Sequence, residues 1–228
     1  MTDVLVPGGR DVRGTLDETD GGRTADGSTA GDDAGASACV VACPPHPQHR
    51  GHRGDERLRA VSDVLVAGGV DCLRFDYGDW DEGYGECADA RNAVAWARER
   101  YDRVGLLGFS FGGCVALLVG SEGDVDAVSA LAPTARLADD LDAVSALAPT
   151  ARLADDLDAV EAMADIDARG CPAQVVYATR DDTADWEPVV ERARELEFDL
   201  REFSADHFFV GQAGKVGEAV GRWLLEEL

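Results

Sequence analysis

Residues 106–113 read Leu-Leu-Gly-Phe-Ser-Phe-Gly-Gly, and Gly108, Ser110 and Gly112 fill the G-x-S-x-G pattern of a nucleophile elbow. The flanking residues give the pattern its weight. Arg103–Leu107 reads as a strand and Cys114–Val119 as a helix, so Ser110 stands where a buried strand turns sharply into a helix. Such a turn strains the backbone and lifts the hydroxyl clear of the sheet. Glycines on either side leave room where side chains would collide. The plain alternative is a glycine-rich turn that only packs closely; the strand and helix around it favour a serine nucleophile.

A serine nucleophile needs a base and an acid to orient it. The chain holds four histidines, and His207 lies in Ser204-Ala205-Asp206-His207-Phe208-Phe209, after the expected last strand. That loop falls at the carboxyl end of the sheet, where Ser110 emerges. A neutral imidazole there takes the Ser110 proton during attack and returns it to the leaving group. The acid should follow a strand between the two. Asp181 and Asp182 both follow the run 173–178, with Asp185 a weaker candidate. Backbone N–H groups must hold the oxyanion, Phe111 among them. A second should come from Pro44-Pro45-His46-Pro47-Gln48, where the prolines carry no N–H and only His46 and Gln48 can donate. His46, His49 and His52 recur every third residue, but no carboxylate or cysteine spacing accompanies them, so no metal site is expected. The loop Asp76–Gly83, acidic and aromatic, reads as a pocket border or a solvated loop rather than a calcium site.

The elements that position these groups follow from periodicity. Short strands at 3–6 and 11–16 flank Pro7-Gly8-Gly9, and residues 18–37, without apolar period, read as a flexible acidic loop. Continuous apolar runs give buried strands at 38–43 and 70–75, a helix fills 55–67, and another spans 87–101. After the elbow come a strand at 173–178, a helix at 186–196, a strand at 199–203 and a terminal helix at 213–228. Strands alternating with helices imply one α/β domain over residues 1–228, its sheet mostly parallel and covered on both faces. One segment breaks the order: residues 126–141 read DAVSALAPTARLADDL and residues 142–157 repeat them without a change. The fold needs one strand there and the chain offers two. Asp126–Leu131 is expected to fill the slot; the second copy is then surplus, helical near residue 144, with a further helix from about Ala151 to Ala164. The alternative is that the second copy takes the slot and the first is looped out.

The net charge is −24, with Arg outnumbering Lys 20 to 1 and Asp outnumbering Glu 30 to 15. Such a surface disfavours nucleic acid and anionic membranes as partners, and its balance fits a cytosol of molar salt, where screening is strong. No apolar stretch reaches the roughly 20 residues of a membrane span, and no signal segment is recognisable, so a soluble cytoplasmic protein is expected. The six cysteines form no C-x-x-C pair and read as buried reduced thiols. The sequence carries no signal for oligomeric state.

These motifs together resemble a family. The Pro-His-Pro loop, Arg74-Phe75-Asp76-Tyr77-Gly78 with Glu82-Gly83, Gly-Phe-Ser-Phe-Gly-Gly, Thr179-Arg180-Asp181 and Ala205-Asp206-His207-Phe208-Phe209 resemble the small serine hydrolases of the dienelactone-hydrolase-like group with an H-P-H-P loop. The resemblance runs from about residue 38 to the C-terminus. It implies the α/β-hydrolase fold, an eight-stranded sheet whose second strand is antiparallel, no large lid and the chain order Ser, Asp, His. It favours Asp181 over Asp182, since the acid follows G-x-x-D in such relatives. It also favours Gln48 as the second oxyanion donor, following His46-Pro47 as the donor follows His-Gly in related enzymes. The implied activity is hydrolysis of small carboxylic esters or thioesters with no cofactor. Acyl transfer, peptide cleavage or a silenced, ligand-binding member of the fold are the alternatives. The chain departs from the pattern at Pro44 and Ala178, and the repeat has no counterpart there.

Overall fold

The computed structural model of the chain describes residues 1–19, 36–135 and 157–228. Their eight strands form one sheet in the order β1-β2-β4-β3-β5-β6-β7-β8. β1 (Thr2–Leu5) and β2 (Arg13–Asp17) make an antiparallel hairpin, and β2 runs antiparallel to β4 (Asp71–Asp76). From β4 onward, through β3 (Ala38–Cys43), β5 (Arg103–Phe109), β6 (Ala127–Leu131), β7 (Ala173–Ala178) and β8 (Asp199–Phe203), every pairing is parallel. All the parallel strands therefore end on one edge, and that edge gathers the candidate residues.

Burial on both faces explains why the central strands read as unbroken apolar runs. Along β3, Cys39, Val41 and Cys43 point into one core and Val40 and Ala42 into the other. The first core is closed by α2 (Tyr84–Arg98), α3 (Phe111–Gly120), α4 (Ala159–Ala168) and α5 (Glu187–Glu195). The second is closed by α1 (Glu56–Ala67) and α6 (Ala213–Glu227), which supply Leu58, Val61, Leu65, Val216, Val220 and Leu224. Helix α2 starts three residues before its expected Cys87. The buried Glu86 carboxylate accepts the N–H groups of Asp81 and Gly83 at 3.1 and 2.8 Å, capping an earlier first turn. The six cysteines, all among the described residues, form no disulfide, and five of them are buried.

The first copy of the repeat supplies β6, which pairs between β5 and β7. Beyond it, Ala135 N–H donates to the Asp185 carbonyl and Ala159 N–H donates to the Ala135 carbonyl, each at 3.0 Å. The chain thus leaves and re-enters the described fold at one point. The helix expected near residue 144 lies outside the described residues, as do residues 20–35 of the acidic loop. The following helix is α4, which ends at Ala168, four residues past its expected end, and is capped by Asp158, which accepts the Val160 N–H at 2.9 Å; its expected start near Ala151 lies outside the described residues. No helix among the described residues is long and apolar enough to cross a membrane.

Candidate active site

Ser110 caps α3 directly after β5, with φ 56° and ψ −122°, a left-handed conformation rare outside glycine. The turn is tight enough to exclude side chains beside it. A Cβ on Gly108 would land on the Gly112 carbonyl, and one on Gly112 would land on the carbonyls of Cys43 and Pro44. The Ser110 N–H is anchored to the Leu131 carbonyl at 2.8 Å, tying the elbow to β6.

His207 reaches the elbow from the loop after β8. Its Nε2 lies 2.9 Å from Ser110 Oγ and its Nδ1 2.7 Å from Asp181 Oδ2. Asp181 comes from the loop after β7, and its other oxygen accepts the N–H groups of Thr183 at 2.9 Å and Ala184 at 3.0 Å. The two loops are laced together: Thr179 N–H donates to the Phe203 carbonyl and Arg180 N–H to the Ala205 carbonyl. The Asp181 side chain is fully buried and that of His207 is 4% exposed. Burial alone pushes the Asp181 carboxyl up. The His207 bond, the two N–H donors and the His207 charge outweigh it and hold the group below the usual carboxylate range. Asp182 and Asp185 are exposed. Of the three acids left open by sequence, the structure brings Asp181 to the imidazole.

The oxyanion loop departs from expectation. Gln48 N–H is engaged by His46 Nδ1 at 3.2 Å, because His46 caps the single 3-10 turn Pro47–His49 with its own ring. Gln48 is exposed and does not line the cavity at Ser110. His46, the other residue of this loop able to donate, is buried and does line it. Its ring sits 4.6 Å from those of His49 and Trp80 and 4.8 Å from that of Phe111. Since Nδ1 accepts a hydrogen bond, the neutral ring carries its proton on Nε2, which has no partner. Burial, aided by the His49 charge, lowers the His46 pKa to about 4. His52 turns its Nδ1 to the Gly54 N–H at 3.0 Å. His46 and His52 thus serve the loop's own turns, and His49 stacks on His46. Trp80 brings the acidic loop to the same ring cluster.

The cavity over Ser110 has a volume near 200 Å³, lined by His46, His49, Arg57, Ser110, Thr183 and Phe208 among others. A larger one of about 460 Å³ opens at the amino ends of β7 and β8, beside Cys171 and Trp223. Burial lifts the Cys171 pKa to about 11, so its thiol is protonated at neutral pH, and its Sγ donates to the carbonyls of Val125 and Pro172 at 3.7 Å. Sequence reasoning missed Asp55 and Arg57 at the Ser110 cavity. Asp55 caps α1 and Arg57 lies in its first turn, where charged residues ordinarily face solvent, and only the i, i+2 spacing of opposite charges hints at a pair.

No family model and no curated protein matches the sequence. Solved structures match across its length. An α/β serine hydrolase homologue from Coxiella burnetii aligns at 21% identity over 98% of this chain and 97% of its own, with a TM-score of 0.71. Est1E from Butyrivibrio proteoclasticus aligns at 17% identity over 99% and 98%, TM-score 0.76. A lid-less α/β serine hydrolase from Xanthomonas campestris aligns at 19% identity over 97% and 94%, TM-score 0.66. The fold is that of the α/β-hydrolases.

Proposed function

We propose that this chain is a serine hydrolase of small carboxylic esters or thioesters. The observation that carries the reading is the unbroken contact from Ser110 Oγ to His207 Nε2 and from His207 Nδ1 to Asp181 Oδ2. Ser110 Oγ attacks the acyl carbon while its proton passes to His207 Nε2. The resulting imidazolium is stabilised by Asp181, which also fixes the tautomer. The tetrahedral oxyanion is held by the backbone N–H groups of Phe111, at the start of α3, and of His46, in place of Gln48. Collapse expels the alcohol or thiol, which takes the proton from Nε2 and leaves an acyl-enzyme. Water, deprotonated by the same nitrogen, then releases the carboxylic acid and restores Ser110. This balance calls for no metal or cofactor.

The cavity's small volume supports short acyl groups, being below the range of sites built for drug-sized ligands. The decisive experiment is a fluorophosphonate probe in molar KCl, read by intact mass on the wild type and Ser110→Ala. One adduct on the wild type and none on the variant is the expected result. A folded wild-type protein that takes no adduct would instead be a binding protein of the same fold. Matched ester, thioester and amide substrates then separate hydrolysis of esters from peptide cleavage.

A further inference from the structure

Arg57 lies outside the proposed proton path, yet its guanidinium touches both sides of it. Nε donates to Asp55 Oδ1 at 2.9 Å and Nη2 to Asp55 Oδ2, a fork on a carboxylate that is itself the cap of α1. Nη1 donates to the carbonyl of Phe208, the residue after His207, at 3.0 Å. The guanidinium carbon sits 4.5 Å from the ring centre of Phe109, the residue before Ser110. The Phe109 ring in turn packs 5.4 Å from the His207 imidazole. The pair is nearly buried, with side chains 11% and 9% exposed.

We infer that Arg57 is a positioning residue that sets the distance between His207 and Ser110. The inference rests on the hydrolase reading. The loop that carries His207 is anchored on either side of Phe208. Ser204 accepts from Arg180 and Gln212, Asp206 accepts from Phe209 N–H and Val210 N–H, and the fully buried Phe209 ring packs on Phe203, whereas Phe208 between them is half exposed. Lacing to the Asp181 loop fixes its start at Ala205. Among the described hydrogen bonds, Arg57 to Phe208 is the one that joins this loop to α1. A planar fork is what the position requires: two N–H groups occupy Asp55, a third takes the carbonyl, and the flat face stacks on Phe109. Asp55 neutralises the guanidinium, so Arg57 holds the loop without setting an uncompensated charge beside the imidazolium.

The test uses the full chain with Arg57→Ala and Arg57→Lys, on p-nitrophenyl acetate in molar KCl. Loss of alignment by a fraction of an ångström to one ångström corresponds to a fall in kcat of about 10- to 100-fold, with KM within about threefold. Guanidinium at tens of millimolar should restore several-fold of the loss in Arg57→Ala, and methylammonium should not. Arg57→Lys, which keeps the charge and stem, should fold and remain slow. A second readout needs no turnover: the His207 Nδ1 proton, held on Asp181, gives a far-downfield NMR resonance that should weaken or vanish in both variants. A kcat within twofold of wild type with the resonance intact overturns the inference, as does a slow variant that guanidinium leaves unchanged. A wild type that neither turns over nor takes the fluorophosphonate, while the resonance still depends on Arg57, overturns the hydrolase reading and leaves the positioning role standing.

Discussion

Asp181 gives one oxygen to His207 and the other to two backbone N–H groups, so its position is fixed from both sides. Asp181→Asn keeps the shape but offers an amide whose N–H group favours the wrong tautomer of His207. The expected cost in kcat is a factor on the order of 10³–10⁴ with KM little changed, measured by steady-state ester hydrolysis. His46 carries a different consequence. Its pKa falls from the usual 6.5 to about 4 because burial disfavours the imidazolium, with the His49 charge adding to it. The unfolded chain therefore binds a proton that the folded chain refuses between those two values. Stability from this site is full above about pH 6.5 and declines as the pH falls toward 4. Urea unfolding of the wild type against His46→Phe should show the gap between them shift by a few kcal/mol across that window. A constant gap would remove the effect.

The elbow is an element whose geometry leaves almost no latitude. A methyl group at Gly112 would meet backbone carbonyls that cannot rotate away, whereas Gly214, in the first turn of α6, has open space around its missing Cβ. Gly112→Ala is expected to cost at least about 3 kcal/mol, and Gly214→Ala to be neutral or stabilising by about 0.5 kcal/mol, both read from thermal unfolding. At this scale the sequence was most informative. β3, β7 and β8 fall on their expected residues, the first two because each is a short, fully buried run between turn signals. Chain order and strand ends placed Ser110, His207 and the 181–185 loop on one edge, while the antiparallel second strand and the choice of Asp181 over Asp182 came only from the family resemblance. The start of α2 was not, because its cap depends on a buried Glu86 that reads as an ordinary surface acid. Gln48 misled for a similar reason: a side-chain cap by His46 Nδ1 consumes its N–H, and no spacing rule shows that. Arg57 was hidden because its role comes from groups 52 and 151 residues away in the chain, Phe109 and Phe208.

Over the whole molecule a net charge of −24 is spread on 228 residues. The described arginines meet part of it locally, as Arg74 does with Asp17 in the buried pair beside Ser62 and Arg10 with Asp89. The excess of carboxylates remains, and its mutual repulsion is screened only as the Debye length shrinks from about 10 Å at 0.1 M salt to about 3 Å at 1 M. Raising KCl from 0.1 M to 1 M should lift Tm by about 10 °C or more. A flat Tm in differential scanning calorimetry would show that packing alone sets the stability. The hydrogen bond from Ala159 to Ala135 bears on how this gene can change. With the two ends of the intervening stretch already fastened, lengthening it from seven residues to twenty-three adds only about 1 kcal/mol of loop-closure entropy. A replication slip that doubled sixteen codons there would leave β6, the elbow and both carboxyl-edge loops untouched, so selection on Ser110 could act on the longer allele as it did on the shorter one.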